Sequence, residues 1–172
     1  MTAPSHPDRN RRRALGIGLL TALATFAVDQ VIKAWIVGPL ALPQIGQITL
    51  LPIFNLTFTE NTGISLGLLN AAGSVNGRWL LVALTAVIAL VVLGWMLRER
   101  RWGETLPLGL VLGGALGNIR DRASIGYVID YADLHFGGFR PFLVFNLADA
   151  AITLGVLIIL ARAFLLREKH RA

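Results

Sequence analysis

The sequence predicts an all-α membrane protein: four transmembrane helices with a small outward-facing β-sheet and a short interfacial helix. Three observations lead there. The chain of 172 residues is 55% hydrophobic and 15% charged, with mean hydropathy +0.64, which is too apolar for a soluble domain of this size. Four stretches approach the roughly 20 apolar residues that a helix needs to cross a hydrocarbon core about 30 Å thick. Finally, 11 of the 16 Lys and Arg gather in three places, at Arg9 to Arg13, Arg98 to Arg101 and Arg162 to Arg171. With four spans these three clusters fall on one side, which the positive-inside bias makes cytoplasmic.

The elements follow in order within a single domain, 1–172. Residues 1–13 are polar and read as a disordered cytoplasmic N-terminus. Arg12-Arg13-Ala14-Leu15 before an apolar run has the look of an export signal, but the run is long, contains Asp29 and Lys33, and lacks a convincing small-residue cleavage site. It reads as a retained first span, Ala14–Val37. The connection 38–78 faces outward. Within it Phe54, Leu56 and Phe58 alternate with Asn55, Thr57 and Thr59, a period of two that predicts a short strand with one apolar face. A turn at Asn61-Thr62-Gly63 then leads into a short apolar helix. Pattern alone supports two readings of this insertion, a sheet that cradles an extended peptide and a structured connector.

The second span is Trp79–Leu97 and the third, the shortest, Thr105–Arg120. The third carries Gly109, Gly113 and Gly117 on one helical face, spacing that lets helices approach closely in lipid. The outward connection 121–141 follows, then the fourth span, Phe142–Ala161, and a cytoplasmic tail, 163–172. Trp35, Trp79, Trp95 and Trp102 each fall at a span end, where interfacial aromatics belong.

Composition also limits the chemistry. The net charge of +6 is accounted for by topology, so no nucleic-acid partner is expected. There is no cysteine, and His6, His135 and His170 never cluster. Thiol catalysis, a Ser–His triad and a His-based zinc site all lack parts, and neither a metal nor a cofactor is expected. What remains is carboxylates at membrane level, which cost about 2.5–3.5 kcal/mol each on insertion scales and mark function. Two close the same tetrapeptide, Asn118-Ile119-Arg120-Asp121 and Asn146-Leu147-Ala148-Asp149, with Asp130 between them. Asp149 reads as helix-central, roughly 10 Å of helix beyond Phe142. All three carboxylates meet at one depth near the outward boundary. Asp29 and Lys33, at i and i+4, suit a mutual ion pair or a polar substrate group. Asp121-Arg122 has two readings, an interfacial ion pair or part of a site, while Asp133 and His135 read as solvated loop residues. Two carboxylates held close share a proton. One then activates water while the other polarises a carbonyl, which is aspartyl peptide hydrolysis. Spacing does not choose between Asp121 and Asp130 as the partner of Asp149.

From the first span to the fourth, the chain resembles lipoprotein signal peptidase (signal peptidase II). The matching pieces are Asp29-Gln30-x-x-Lys33, Asn61-x-Gly63, Gly113-Gly114-Ala115-x-Gly117-Asn118-x-x-Asp121-Arg122, Gly126-x-Val128-x-Asp130 and Phe145-Asn146-x-Ala148-Asp149. Each is weak alone, but five in order are highly specific. The resemblance implies a bacterial plasma-membrane aspartyl protease, multi-pass with both termini cytoplasmic. Its substrates would be prolipoproteins whose cysteine carries diacylglycerol, cleaved just before that cysteine, with membrane lipid as the other partner and a monomer as the active form. It makes Asp130 and Asp149 the catalytic pair, and Asn61, Asn118, Arg122 and Asn146 residues that line or support the pocket; Asp29, Lys33, Gly63 and Asp121 join these as supports. Ser65-Leu66 and Tyr131 depart from the usual Ala-Phe and Phe. A proton-coupled transporter is the main rival, weakened because the halves show no repeat and the acids sit near one surface. A non-catalytic membrane adaptor is the third reading.

Overall fold

The computed structural model describes residues 7–63 and 75–168. In chain order the elements are α1 (Pro7–Val37), α2 (Leu42–Ile45), β1 (Gln47–Leu51), β2 (Phe54–Asn61), α3 (Val75–Arg98), α4 (Trp102–Ile125), β3 (Val128–Leu134) and α5 (Leu147–Glu168). Arg9–Val37, Asn76–Arg98 and Leu147–Leu165 are long and apolar enough to cross a membrane. Of the four expected spans, apolarity thus supports three. The fourth long helix, α4, packs against α1, α3 and α5. Its neighbours supply its surroundings, so it can hold glycines and polar groups where a lipid-facing helix needs leucine.

The glycines of α4 act as the sequence predicts. A Cβ on Gly109 would strike the Gly18 carbonyl oxygen, and one on Gly113 would strike that of Ala22, both in α1. Gly114 meets α5 instead, where an added Cβ would lie 2.5 Å from the Ala148 carbonyl oxygen. Backbone therefore packs on backbone along both seams, the mode by which helices associate in lipid. The close seams bring the C-terminal end of α4 between α1 and the start of α5. Outward-facing side chains such as Leu20, Val31, Leu90 and Leu165 are exposed, as lipid contact requires.

At one end of the bundle lies a three-stranded antiparallel sheet in the order β1-β2-β3. Strands from both expected outward connections meet in it, so those connections share one end. Phe54, Leu56 and Phe58, the apolar set read from alternation, join Ile36, Leu42 and Ile129 in a cluster that fastens the sheet to the end of α1. β3 departs from expectation, because the segment after Asp121 is not a loop. Helix α4 runs on to Ile125, and Gly126 at φ 96° caps it in the left-handed region that glycine adopts without strain. The chain turns there directly into β3, whose residues Val128–Asp133 are all buried.

The fourth helix also starts later than expected. Phe142 to Phe145 are apolar but not helical: Phe142 and Leu143 are exposed, and Phe145 bridges Ala132 along the edge of β3. Asn146 begins α5 by capping it, so Asp149 stands in its first turn and not two turns in. The expected interfacial helix and Ser65-Leu66 fall within 64–74, outside the described residues.

Candidate active site

The first turn of α5 sets the geometry. A helix begins with backbone N–H groups that have no intrahelical acceptor. Here side chains satisfy each of them. Asn146 N–H donates to Asp149 Oδ2 at 3.3 Å, and Asp149 N–H returns a bond to Asn146 Oδ1 at 3.0 Å. This reciprocal capping box is what the Asn-x-x-Asp tetrapeptide builds. Leu147 N–H donates to the Tyr131 hydroxyl at 3.2 Å, and Ala148 N–H to Asp29 Oδ1 at 3.1 Å. Residues from α1, β3 and α5 thus hold Asp149 in place.

Asparagine amides link the carboxylates, and their neighbours fix which way each amide points. Asn146 Nδ2 donates to Asp130 Oδ1 at 2.6 Å and to Asn118 Oδ1 at 3.3 Å. Asn118 Nδ2 in turn donates to Asp149 Oδ1 at 2.8 Å. On the far side of Asp130, Asn61 Nδ2 donates to Oδ2 at 2.9 Å. The Asn61 oxygen accepts from the Gly63 N–H at 2.8 Å, a tight turn in which Gly63 adopts φ 86°. Thr59 pairs with Asp130 in the sheet, which leaves Asn61 as its diagonal neighbour on the same face.

Below this pair sits a buried ionic group. Lys33 Nζ lies 2.9 Å from Asp29 Oδ2, 2.7 Å from Asp121 Oδ2 and 3.3 Å from Asn118 Oδ1. The Asp29–Lys33 pair expected from i, i+4 spacing is therefore present. Asp121, however, pairs with Lys33 and not with Arg122. The bend at Gly126 returns β3 over it, and the Ile129 N–H reaches Asp121 Oδ2 at 3.5 Å. Arg122 is half-buried within electrostatic reach of Asp149, Asp130 and Asp121, and its Nε has no hydrogen-bond partner. Gln30, which the sequence motif contains but to which it assigns no role, donates to Asp29 Oδ2 at 3.0 Å and to Asp121 Oδ1 at 3.2 Å. Its place between Asp29 and Lys33 was the available signal.

Asp133 is a second correction. It is buried in β3, accepts from Thr57 Oγ1 at 3.0 Å and pairs with Arg140 at 3.2 Å. Sheet pairing supplies the Thr57 contact, which the linear sequence does not show.

Burial pushes the Asp130 carboxyl up to about 6; the Asn61 hydrogen bond opposes this and the nearby Asp149 charge adds to it. Burial likewise raises the Tyr131 hydroxyl to about 12, so it stays neutral beside the cap. A cleft of about 220 Å³ opens over Asp130, lined by Thr59 to Gly63 and by Leu143 and Val144. Such a site offers one carboxyl that holds its proton more tightly than an ordinary carboxyl and a second carboxylate tied to it through Asn146.

Residues 21–165 match the family of signal peptidase (SPase) II. The lipoprotein signal peptidase of Sphingopyxis alaskensis is 53% identical over 155 residues, covering 90% of this chain and 89% of that protein. The lipoprotein signal peptidase of Rhizorhabdus wittichii is 51% identical, covering 93% and 91%. A bacterial membrane enzyme solved by the in meso method superposes with a TM-score of 0.72 at 28% identity, over 90% of each chain. With a family match across most of its length and relatives this close, the chain belongs to the signal peptidase II family of bacterial membrane proteases that process lipoproteins.

Proposed function

We propose that this protein is an aspartic endopeptidase that removes signal peptides from diacylglyceryl-modified prolipoproteins by cutting just before the lipidated cysteine, with Asp130 and Asp149 as its catalytic pair. One observation carries the reading: Asn146 binds both carboxylates, Asp130 through its side-chain amide and Asp149 through its backbone N–H. Burial raises Asp130 to about 6, above the ordinary carboxylate value, so it is the member of the pair that takes up the shared proton. Asp149 accepts from Asn118 and Asn146 and serves as the base.

Water attacks the scissile carbonyl carbon and gives a proton to Asp149, while the Asp130 proton moves to the carbonyl oxygen. The tetrahedral diol then collapses. The C–N bond breaks, the leaving amine takes the proton from Asp149, and a diol hydroxyl returns its proton to Asp130. General acid and base partners of this kind each contribute about 10²–10⁴-fold. Asn118, Asn146 and Asn61 orient the pair. Asp29, Lys33 and Asp121 support it from below: all three are buried, and Asp29 accepts the Ala148 N–H in the first turn of α5. Gly63 shapes the cleft, and Arg122 lies where it balances the carboxylates.

The end of β2 and the exposed Leu143 line the cleft. A diacylglyceryl anchor in the outer leaflet would present an extended peptide to Asp130 at fixed depth, supplying orientation. The active form is a monomer with both termini in the cytoplasm. The test is cleavage of a precursor peptide with and without the diacylglyceryl group, by purified protein and with no ion gradient. The lipidated precursor is expected to be cut at least tenfold faster, on the order of one to two lost contacts, and Asp149→Asn to abolish cleavage. Equal rates would remove lipid recognition, and a requirement for a proton gradient would favour the transporter reading.

A further inference from the structure

We infer that the end of the bundle opposite the carboxylates carries a binding site for an anionic phospholipid of the adjacent leaflet. A cleft of about 690 Å³ lies between α1, α4 and α5, roughly three times the volume of the one over Asp130. Along α4, Trp102 and Asp121 are 19 residues apart, about 28 Å of helix, so the two clefts lie at opposite ends.

Its lining divides by chemistry. Arg13 of α1, Arg100 and Arg101 of the α3–α4 connection, and Arg162 of α5 contribute the charge. Ile17, Leu106 and Ile158 form an apolar floor. A positive-inside bias places basic residues on one side of a membrane, but it does not require that arginines from three separate segments ring one cavity. Arg162 is already neutralised: its Nη2 lies 2.8 Å from Glu104 Oε1. Arg13, Arg100 and Arg101 are exposed, and among the described residues none has an ion-pair partner. The N-terminus of the 24-residue α4 adds its own positive potential. Three cations above an apolar floor, opening between helices, complement a phosphate headgroup with acyl chains below it. Basic pockets between membrane helices bind such lipids for this reason. A soluble anion would leave the apolar floor unused, and a zwitterionic lipid would leave the arginines uncompensated.

Trp102 is 63% exposed and lines the cleft, so it reports occupancy. Full-length protein carrying Trp35→Phe, Trp79→Phe and Trp95→Phe, which retains only Trp102, is reconstituted in phosphatidylcholine vesicles. Quenching is then titrated with phosphatidylglycerol brominated on its acyl chains, and separately with brominated phosphatidylcholine. The expected relative association constant favours phosphatidylglycerol by about tenfold. Combined Arg13→Gln, Arg100→Gln and Arg101→Gln should bring that ratio close to one. Arg9→Gln, Arg12→Gln and Arg98→Gln, which remove the same charge away from the cleft, should leave it unchanged. Equal quenching by the two lipids in the Trp102-only protein overturns the site without reference to any arginine variant. Equal loss in both triple variants also overturns it, because the attraction then belongs to the whole surface. Displacement of the lipid by millimolar inorganic phosphate at constant ionic strength would assign the cleft to free anions instead. Native mass spectrometry of the unmodified protein, counting retained phosphatidylglycerol against phosphatidylcholine, gives an independent readout should the tryptophan variants misfold.

Discussion

Asp130→Asn should remove cleavage and yet stabilise the fold at alkaline pH. Asp130 is about 1% exposed, and its carboxyl is raised from 3.8 to about 6. The folded state therefore binds the proton more tightly than the unfolded chain. Between those two values the native protein holds more protons than the unfolded one, so stability falls as pH rises through the window. The native carboxylate is fully penalised above pH 6. At 1.36 kcal/mol per unit, a shift of this size corresponds to about 3 kcal/mol. Asparagine escapes that penalty but has only one acceptor oxygen. Asn61 and Asn146 both present donors to Asp130, with their own oxygens committed to Gly63 and Asp149. One of the two bonds is therefore lost, at about 1–2 kcal/mol. The balance at pH 8 is a gain of about 1–2 kcal/mol, a rise in Tm of about 4 °C for a domain of this size. Below about pH 4 the electrostatic gain disappears and the variant should melt lower than the parent. Thermal unfolding in detergent at pH 8 and pH 4, followed by helical circular dichroism, reads the change of sign. A variant destabilised equally at both pH values would refute the reasoning, because the carboxylate would then be stabilised in its ionised form.

Three further outcomes follow from the same geometry. Asp121→Asn leaves Lys33 with Asp29 alone, so folded yield should fall while the cleavage rate per folded molecule stays within about tenfold, one lost charge-assisted bond; complete loss of rate in well-folded protein would make Asp121 the partner of Asp149. Tyr131→Phe removes the acceptor for the Leu147 N–H and should cost about 1 kcal/mol of stability with cleavage retained; an unchanged Tm would show that water replaces the hydroxyl. Reporter fusions at residues 70 and 136 should read as external and one after residue 171 as internal, and an external C-terminus would invert the placement of both clefts.

How far the sequence could be read depended on whether a partner lay within a few residues. The Asp29–Lys33 pair follows from i, i+4 spacing, the glycine seam of α4 from a four-residue repeat, and β2 from alternation with one apolar face. β3 carries no alternation because both of its faces are covered, so Val128 to Leu134 reads as a connection. Spacing gives Lys33 one carboxylate and the fold gives it two; the second, Asp121, arrives only because α4 packs along α1. Continuous hydropathy from Phe142 hides the start of α5, although the capping pattern at Asn146 marks it in four letters. The choice of Asp130 over Asp121 rests on the family resemblance, since the Asn146 amide reaches Asp130 only after folding.

The bond from the Ala148 N–H to Asp29 spans 119 residues, and it gives the order of synthesis a meaning. A ribosome releases α1 long before α5, so the carboxylate that caps the last helix is made before the backbone it caps. The first turn of α5, which carries Asp149, gains this cap only once the first and last helices lie side by side. The cap is thus a contact that no part of the chain short of α5 can make. A chain that stops before Asn146 lacks both the amide that binds Asp130 and the helical turn that carries Asp149.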